Sequence, residues 1–316
     1  MDLDELKRYA ASKQIALGIG EKDYVLSVAL SQLSKSQYAK KFIFKGGTAI
    51  KKVYFPDARF SVDLDFNFFD ISGEELVNEI SKLFSERTIL EVNFDEIRSK
   101  EITDDKVLLR LEYRAQMNNL DNVRLDFTFK EPILTEPIWW TTKDDYDVAR
   151  RMTCEHLVAR RVDVGGYFDL YYSCKLDKMN RNTNSRRACF DCKMEAPRRG
   201  DLPNSAFRTM SLEEILAEKV RACLIRGRPR DLYDIWFLQS KGIKLDRQMI
   251  IDKLRLYREF KEAIPSLKDI RERLGLIEPE WERELKALVP SRAYPTFQEA
   301  LRNTINGLEK SSWIST

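Results

Sequence analysis

Two glycines set the strongest constraint on what this chain can fold into. Phe42-Ile43-Phe44 is a short apolar run suited to a buried strand, and Lys45-Gly46-Gly47-Thr48 breaks it. Thr48-Ala49-Ile50 then begins a helical pattern. A strand that enters a Gly-Gly turn and leaves as a helix lets a phosphate approach the backbone. The helix start adds free N–H groups and a positive dipole end. The next strand pattern, 61–69, alternates polar and apolar residues, so Asp63 and Asp65 fall on one face. Two such carboxylates form a hard-oxygen site for Mg²⁺ or Mn²⁺. A third acid completes a two-metal arrangement, and Asp126, on a later strand pattern, is in place to supply it.

The aspartate pair alone carries little. The chain has 25 aspartates and three Asp-x-Asp pairs, Asp2/Asp4, Asp63/Asp65 and Asp145/Asp147, about what chance provides. Ser61, Asp63, Asp65 and Asn67 also read as the solvated face of an amphipathic strand. The Gly-Gly-Thr turn ahead of them, with Arg59 and Ser61 between, turns that reading towards a nucleotide site.

Around this turn the patterning predicts two helices over 2–37, a strand at 42–44, the strand at 61–69 and a helix over 73–86. The last is opened by the capping box Ser72-Gly73-Glu74-Glu75. Strands are expected near 90–98, 106–115 and 123–130. This order predicts an α+β sheet domain over 1–142. Residues 143–204 lack clear periodicity and read as a separate insert rich in Cys and Arg. Residues 205–316 read as a helical domain. Ser211-Leu212-Glu213-Glu214 looks like a second capping box, and Pro229 sits at a helix start. Further helices are expected near 245–263, 266–274, 279–288 and 296–309.

Composition excludes several classes. There is no run of 18 apolar residues, so no membrane span is expected. The acidic start, Met1-Asp2-Leu3-Asp4-Glu5, is unlike a signal peptide, so a cytoplasmic protein is expected. With one histidine in the chain, a Ser-His-Asp hydrolase would have only His156 as its base.

Residues 44–66 closely resemble the glycine-glycine-serine/threonine and Asp-x-Asp signature of the AbiEii toxin family. These are nucleotidyltransferases of the DNA-polymerase-β-like superfamily, found in type IV toxin–antitoxin systems. Glu21-Lys22-Asp23-Tyr24 is similar to the family's N-terminal helix. A second block matches as well: Ser211-Leu212-Glu213-Glu214-Ile215-Leu216-Ala217-Glu218-Lys219, then Arg226, then Pro229-Arg230-Asp231-Leu232-Tyr233-Asp234. The resemblance implies a polymerase-β-like nucleotidyltransferase sheet with a helical C-terminal half. It implies that Asp63 and Asp65, with Asp126, hold Mg²⁺, and that Gly46, Gly47 and Thr48 hold the triphosphate beside Arg59 and Ser61. It also implies that Lys219 reaches nucleotide phosphate and that Asp231 sets pocket geometry or moves a proton. A cognate antitoxin protein is the expected partner.

Each residue of the second block also has a plain reading. Glu214 fits the capping-box partner of Ser211. Glu218 fits a surface charge. Lys219 and Arg226, seven apart, share a helix face that is either solvated or an active-site wall. Asp231 lies in the first turn after Pro229, where the helix dipole favours any acid, and Asp234 reads as structural.

The insert lies outside what the resemblance explains. Cys154, His156, Cys174, Cys189 and Cys192 fall within 39 residues. Cys189-x-x-Cys192 has zinc-knuckle spacing, with Cys174 and either Cys154 or His156 completing four Zn²⁺ ligands. Buried free thiols and redox disulfides are the alternatives. Residues 175–199 carry eight basic residues against three acids, a surplus of +5 in a chain whose net charge is +3. Tyr167, Phe168, Tyr171, Tyr172 and Phe190 lie alongside. Backbone contacts and base stacking would use such a segment, and a solvated charged loop is the plain alternative. The expected activity is Mg²⁺-dependent transfer of a nucleoside monophosphate from an NTP to RNA, at the 3′ end of tRNA. Transfer to a protein hydroxyl, or a module that binds nucleotide or RNA without turnover, are the other readings.

Overall fold

Leu64, Phe66 and Phe68 are buried on one side of a strand whose other side carries Asp63, Asp65 and Asn67. This alternation gives the sheet one apolar face and one face free to carry chemistry. The computed structural model describes residues 1–97, 99–129, 131–141, 157–164, 167–174, 206–290 and 294–313.

The chain begins with helices α1 (Leu3–Lys13) and α2 (Leu17–Leu33). Asp2 and Glu5 form a capping box at the start of α1. Strand β1 (Phe42–Lys45) runs straight into helix α3 (Gly46–Ala49), which continues as a π-helical turn over Ile50–Tyr54. Strand β2 (Asp63–Phe68) and helix α4 (Gly73–Phe84) follow. Ser72 and Glu75 form the expected capping box of α4.

Five strands come next: β3 (Arg87–Ile89), β4 (Val92–Phe94), β5 (Ser99–Ile102), β6 (Lys106–Arg114) and β7 (Asp121–Thr128). After them lie β8 (Ile138–Thr141), β9 (Leu157–Val164), β10 (Tyr167–Cys174) and β11 (Ala206–Thr209). The main sheet has the order β3-β4-β6-β7-β2-β1-β11-β8, and β5 pairs with β6. Strands β9 and β10 pair antiparallel as a separate sheet, regular structure that the poor periodicity of 143–204 did not reveal. Beyond the insert the chain re-enters the main sheet, because β11 runs parallel to β1. The helical half starts at α5 (Leu212–Arg226) and continues with α6 (Pro229–Ser240), α7 (Arg247–Arg255), α8 (Leu267–Gly275), α9 (Trp281–Leu285) and α10 (Phe297–Lys310).

Helices α2 and α4 pack together, and their buried residues join the apolar side chains of β2, β6 and β7 in one core. Phe42, Phe66 and Phe127 form a triangular aromatic cluster with centroids 5.3–5.7 Å apart, on the order of 1 kcal/mol per pair beyond area burial. The same core runs on into α5, α6 and α10. No helix among the described residues is long and apolar enough to cross a membrane.

Candidate active site

Parallel pairing of β2 with β7 puts Asp65 directly beside Asp126, and Asp63 beside Arg124. Both acids of β2 and Asp126 therefore share the polar sheet face, as alternation predicted. The Asp65 carboxyl is pushed up to about 6, first by burial and then by the negative charges of Asp63 and Asp126. Asp126 is also raised, mainly by burial. Crowded, poorly solvated carboxylates of this kind suit a hard divalent cation. The donor chemistry fits, yet Asp63 is turned towards Arg124, whose Nη2 donates to Oδ2 at 3.0 Å. Among the described residues no group of three His, Cys, Asp or Glu side chains is placed to enclose a metal ion.

The Gly-Gly turn is fitted to these acids. Gly46 has φ +79°, and a Cβ there would lie 2.2 Å from Asp65 Oδ2. A Cβ on Gly47 would come within 2.8 Å of Arg59 Nη2 and 3.3 Å of Ser61 Oγ. Thr48 is buried, and its hydroxyl donates to the Asp63 carbonyl at 2.5 Å. The hydroxyl expected at a phosphate thus ties α3 to β2.

Lys219 sits midway along α5, buried, with Nζ 3.2 Å from Asp231 and 2.8 Å from Asp234. Arg226, one face-repeat later, donates from Nε and Nη2 to Asp231 at 2.7 and 2.8 Å. Arg59 donates from Nε and Nη2 to Asp234, both at 2.7 Å. A chain of five charges, Arg59–Asp234–Lys219–Asp231–Arg226, thereby joins the two sequence blocks. Burial would raise the Asp231 carboxyl, but Lys219 and Arg226 more than reverse this and hold it well below the usual range.

A cleft of 310 Å³ lies between the polar face of the sheet and α5. Of the residues expected from sequence, Gly46, Asp65, Asp126 and Lys219 line it, and Arg226 joins them. Gly47, Thr48, Arg59, Ser61 and Asp231 are buried outside this lining, and Asp63 stands beside it. The candidate zinc ligands Cys154, His156, Cys189 and Cys192 lie outside the described residues, as does the side chain of Cys174. The basic segment 175–199 lies outside them too.

A second network was not anticipated. Lys45 meets Glu131 at 2.5 Å, and Glu131 meets Arg221 at 3.2 Å. Arg221 also bonds Glu218, and Lys253 lies 2.8 Å from Glu218 and 2.7 Å from Glu214. Glu214 accepts from the backbone N–H groups of Leu134 and Thr135 at 2.8 and 2.9 Å. Its carboxylate is therefore a buried hub, and the Ser211 box is only half formed: Ser211 Oγ accepts from Glu214 N. Glu218, expected on the surface, is buried. Glu214 and Glu218, one turn apart among apolar neighbours, were a legible sign of buried charge.

The family model of the nucleotidyl transferase AbiEii toxin, type IV toxin–antitoxin system, matches residues 28–158 and 175–303. Among solved structures, the chain is similar to JHP933 from Helicobacter pylori at 15% identity, TM-score 0.52, with 94% of each chain covered. It is also similar to MenT4, a nucleotidyltransferase toxin from Mycobacterium tuberculosis, at 17% identity, TM-score 0.52, covering 95% of this chain and 87% of that one. These likenesses show the fold. No curated protein matches the chain. The family implies a nucleoside triphosphate substrate, a divalent metal and a cognate antitoxin. With the family model matched across both halves, the chain belongs to the AbiEii family of nucleotidyl transferase toxins of type IV toxin–antitoxin systems.

Proposed function

We propose that this nucleotidyltransferase uses Mg²⁺ and transfers a nucleoside monophosphate from an NTP to an RNA acceptor, the 3′ end of tRNA, in the cytoplasm. The observation that carries this reading is the cleft in which Asp65 and Asp126 share one lining with Lys219 and Arg226. The acceptor hydroxyl loses its proton to solvent as its oxygen attacks the α-phosphorus, a new P–O ester bond forms, and the bond to the bridging oxygen breaks to release pyrophosphate. Lys219 and Arg226 neutralise charge on the phosphates and the leaving pyrophosphate. Asp63, Asp65 and Asp126 would hold the divalent ion, which would supply Lewis-acid charge stabilisation to the phosphates. Gly46, in the cleft lining, keeps the backbone low enough for the phosphates to approach, and Gly47 leaves room behind it for Arg59 and Ser61. Asp231 is a positioning residue: its carboxylate stays ionised and is occupied by Arg226 and Lys219, so it moves no proton. The RNA acceptor is supported by the basic, aromatic-flanked segment 175–199.

The test is incubation of the purified chain with Mg²⁺, each labelled NTP and total tRNA, beside Asp63→Ala. Label should enter RNA only with the unaltered chain. Label entering protein would overturn the acceptor assignment, and transfer undiminished in Asp63→Ala would overturn the site.

A further inference from the structure

The cleft has two kinds of wall. One is charged and belongs to the sheet and to the Lys219–Arg226 stripe of α5. The other is the neighbouring stripe of α5, Arg221 and Ile225 four residues apart and hence on one face, together with Tyr257 just beyond α7. Tyr257 and Ile225 line the cleft and are each 38% exposed. The Arg221 guanidinium lies over the Tyr257 ring, 4.8 Å from its centroid, and donates to the Tyr257 hydroxyl.

Arg221 and Arg226 are differently employed, although both line the cleft. Arg226 is 52% exposed and pairs with one carboxylate, Asp231. Arg221 is 12% exposed and is held by two, Glu131 and Glu218. Its charge is already matched, and its plane is locked against an aromatic ring. That makes Arg226 suited to a phosphate and Arg221 suited to fixing a flat platform. Helix α5 thus separates two surfaces by register: residues 219 and 226 carry charge paired with Asp231, and residues 221 and 225 form the wall shared with Tyr257.

We propose that Tyr257, braced by Arg221 and flanked by Ile225, is the platform on which the base of the incoming nucleoside triphosphate stacks. This rests on the nucleotidyltransferase reading above and adds to it the part of the cleft that grips the nucleoside. An aromatic platform takes any base through its π-face, so the grip it supplies is tolerant of base identity.

The test measures binding by calorimetry, with Mg²⁺ present, of the α,β-methylene analogues of the four NTPs and of inorganic tripolyphosphate. The proteins are the unaltered chain, Tyr257→Ala and Tyr257→Phe. Tyr257→Ala should weaken the nucleotide analogues roughly 5- to 150-fold, the range for loss of one base–aromatic stack. Tripolyphosphate should bind unchanged, and Tyr257→Phe, which keeps the ring, should stay within about threefold of the unaltered chain on the same scale. Equal weakening of analogues and tripolyphosphate would overturn the platform, as would no weakening of either. In the tRNA transfer assay, a rise confined to the KM for the RNA acceptor in Tyr257→Ala would assign the ring to the acceptor and overturn the proposal. Failure of the unaltered chain to bind any analogue would instead overturn the nucleotide reading, and the two failures are distinguished by which protein shows them.

Discussion

Arg59 and Asp234, 175 residues apart in sequence, form a buried two-bonded ion pair, Nε to Oδ1 and Nη2 to Oδ2, each at 2.7 Å. The pair fastens the loop before β2 to the first turns of α6, and Lys219 leans on the same Asp234 carboxylate at 2.8 Å. The two halves of the candidate site are thereby held in register by charge. Removing one partner of a buried pair strands the other, at about 3–5 kcal/mol.

The two partners should not be equivalent. Arg59→Ala leaves Asp234 with Lys219, whereas Asp234→Ala leaves Arg59 with no carboxylate in hydrogen-bond contact among the described residues. Urea unfolding should find Asp234→Ala the costlier single change. The double variant should cost less than the sum of the two, with a coupling of about 1–3 kcal/mol. Strict additivity would show that the pair contributes nothing as a pair.

Gly46 tests how closely the turn is fitted to its acid. Its φ of +79° is disfavoured for any L side chain, and a methyl there would overlap Asp65 Oδ2 at 2.2 Å. Gly46→Ala should lower both thermal stability and NTP affinity. In an Asp65→Ala background the overlap with the carboxylate is gone and only a 3.1 Å contact with the Cβ of residue 65 remains, so the residual stability cost should fall towards the backbone part, about 1–2 kcal/mol. Equal costs of Gly46→Ala in the two backgrounds would show that contact with Asp65 is not what excludes a side chain.

Arg124 bonds the Asp63 carboxylate, so on the proposed reading it would compete with a cation for Asp63. The contact is 3.0 Å, and the side chains are 39% and 19% exposed, so it is worth at most about 1 kcal/mol. Arg124→Ala should therefore tighten Mn²⁺ binding by up to about fivefold, read by electron paramagnetic resonance of free Mn²⁺ without nucleotide. Weaker Mn²⁺ binding in the variant would mean that Arg124 orients Asp63 for the metal instead of competing for it.

The sequence carried the local half of this site and missed the non-local half. The Gly-Gly turn, the alternation of Asp63 and Asp65 and the strand bearing Asp126 are written within short windows, where periods of 2 and 3.6 read directly. The helices after 211 were legible for the same reason. Lys219, Arg226 and Asp231 came from a resemblance spanning two blocks. Their mutual contacts follow from helix spacing only once α5 and α6 are known to pack together. Nothing local marks Asp234 as the partner of Arg59, or Glu131 as the bridge between Lys45 and Arg221. Those pairings exist only after the chain closes. Strand β11 was missed because four residues between the insert and α5 give too short a pattern, and it is parallel pairing with β1 that makes them a strand.

Asp231 gives the fold a predictable response to acid. Lys219 and Arg226 hold its carboxyl below the usual range despite burial. The folded protein thus keeps this group ionised at pH values where the unfolded chain, titrating near about 3.9, has taken up a proton. The unfolded state then binds more protons, so the contribution is complete above the unfolded value and is lost as pH falls towards the folded one. Asp231→Asn cannot ionise and lacks that dependence. At pH 7 the variant should be less stable by about 3–5 kcal/mol, the cost of breaking a buried pair. Below about pH 4 the difference should shrink by up to about 1.4 kcal/mol per pH unit. Urea unfolding of both proteins at pH 3, 5 and 7 checks this. A difference unchanged from pH 7 to pH 3 would mean that Asp231 holds Lys219 and Arg226 by hydrogen bonds that asparagine replaces in part, not by its charge.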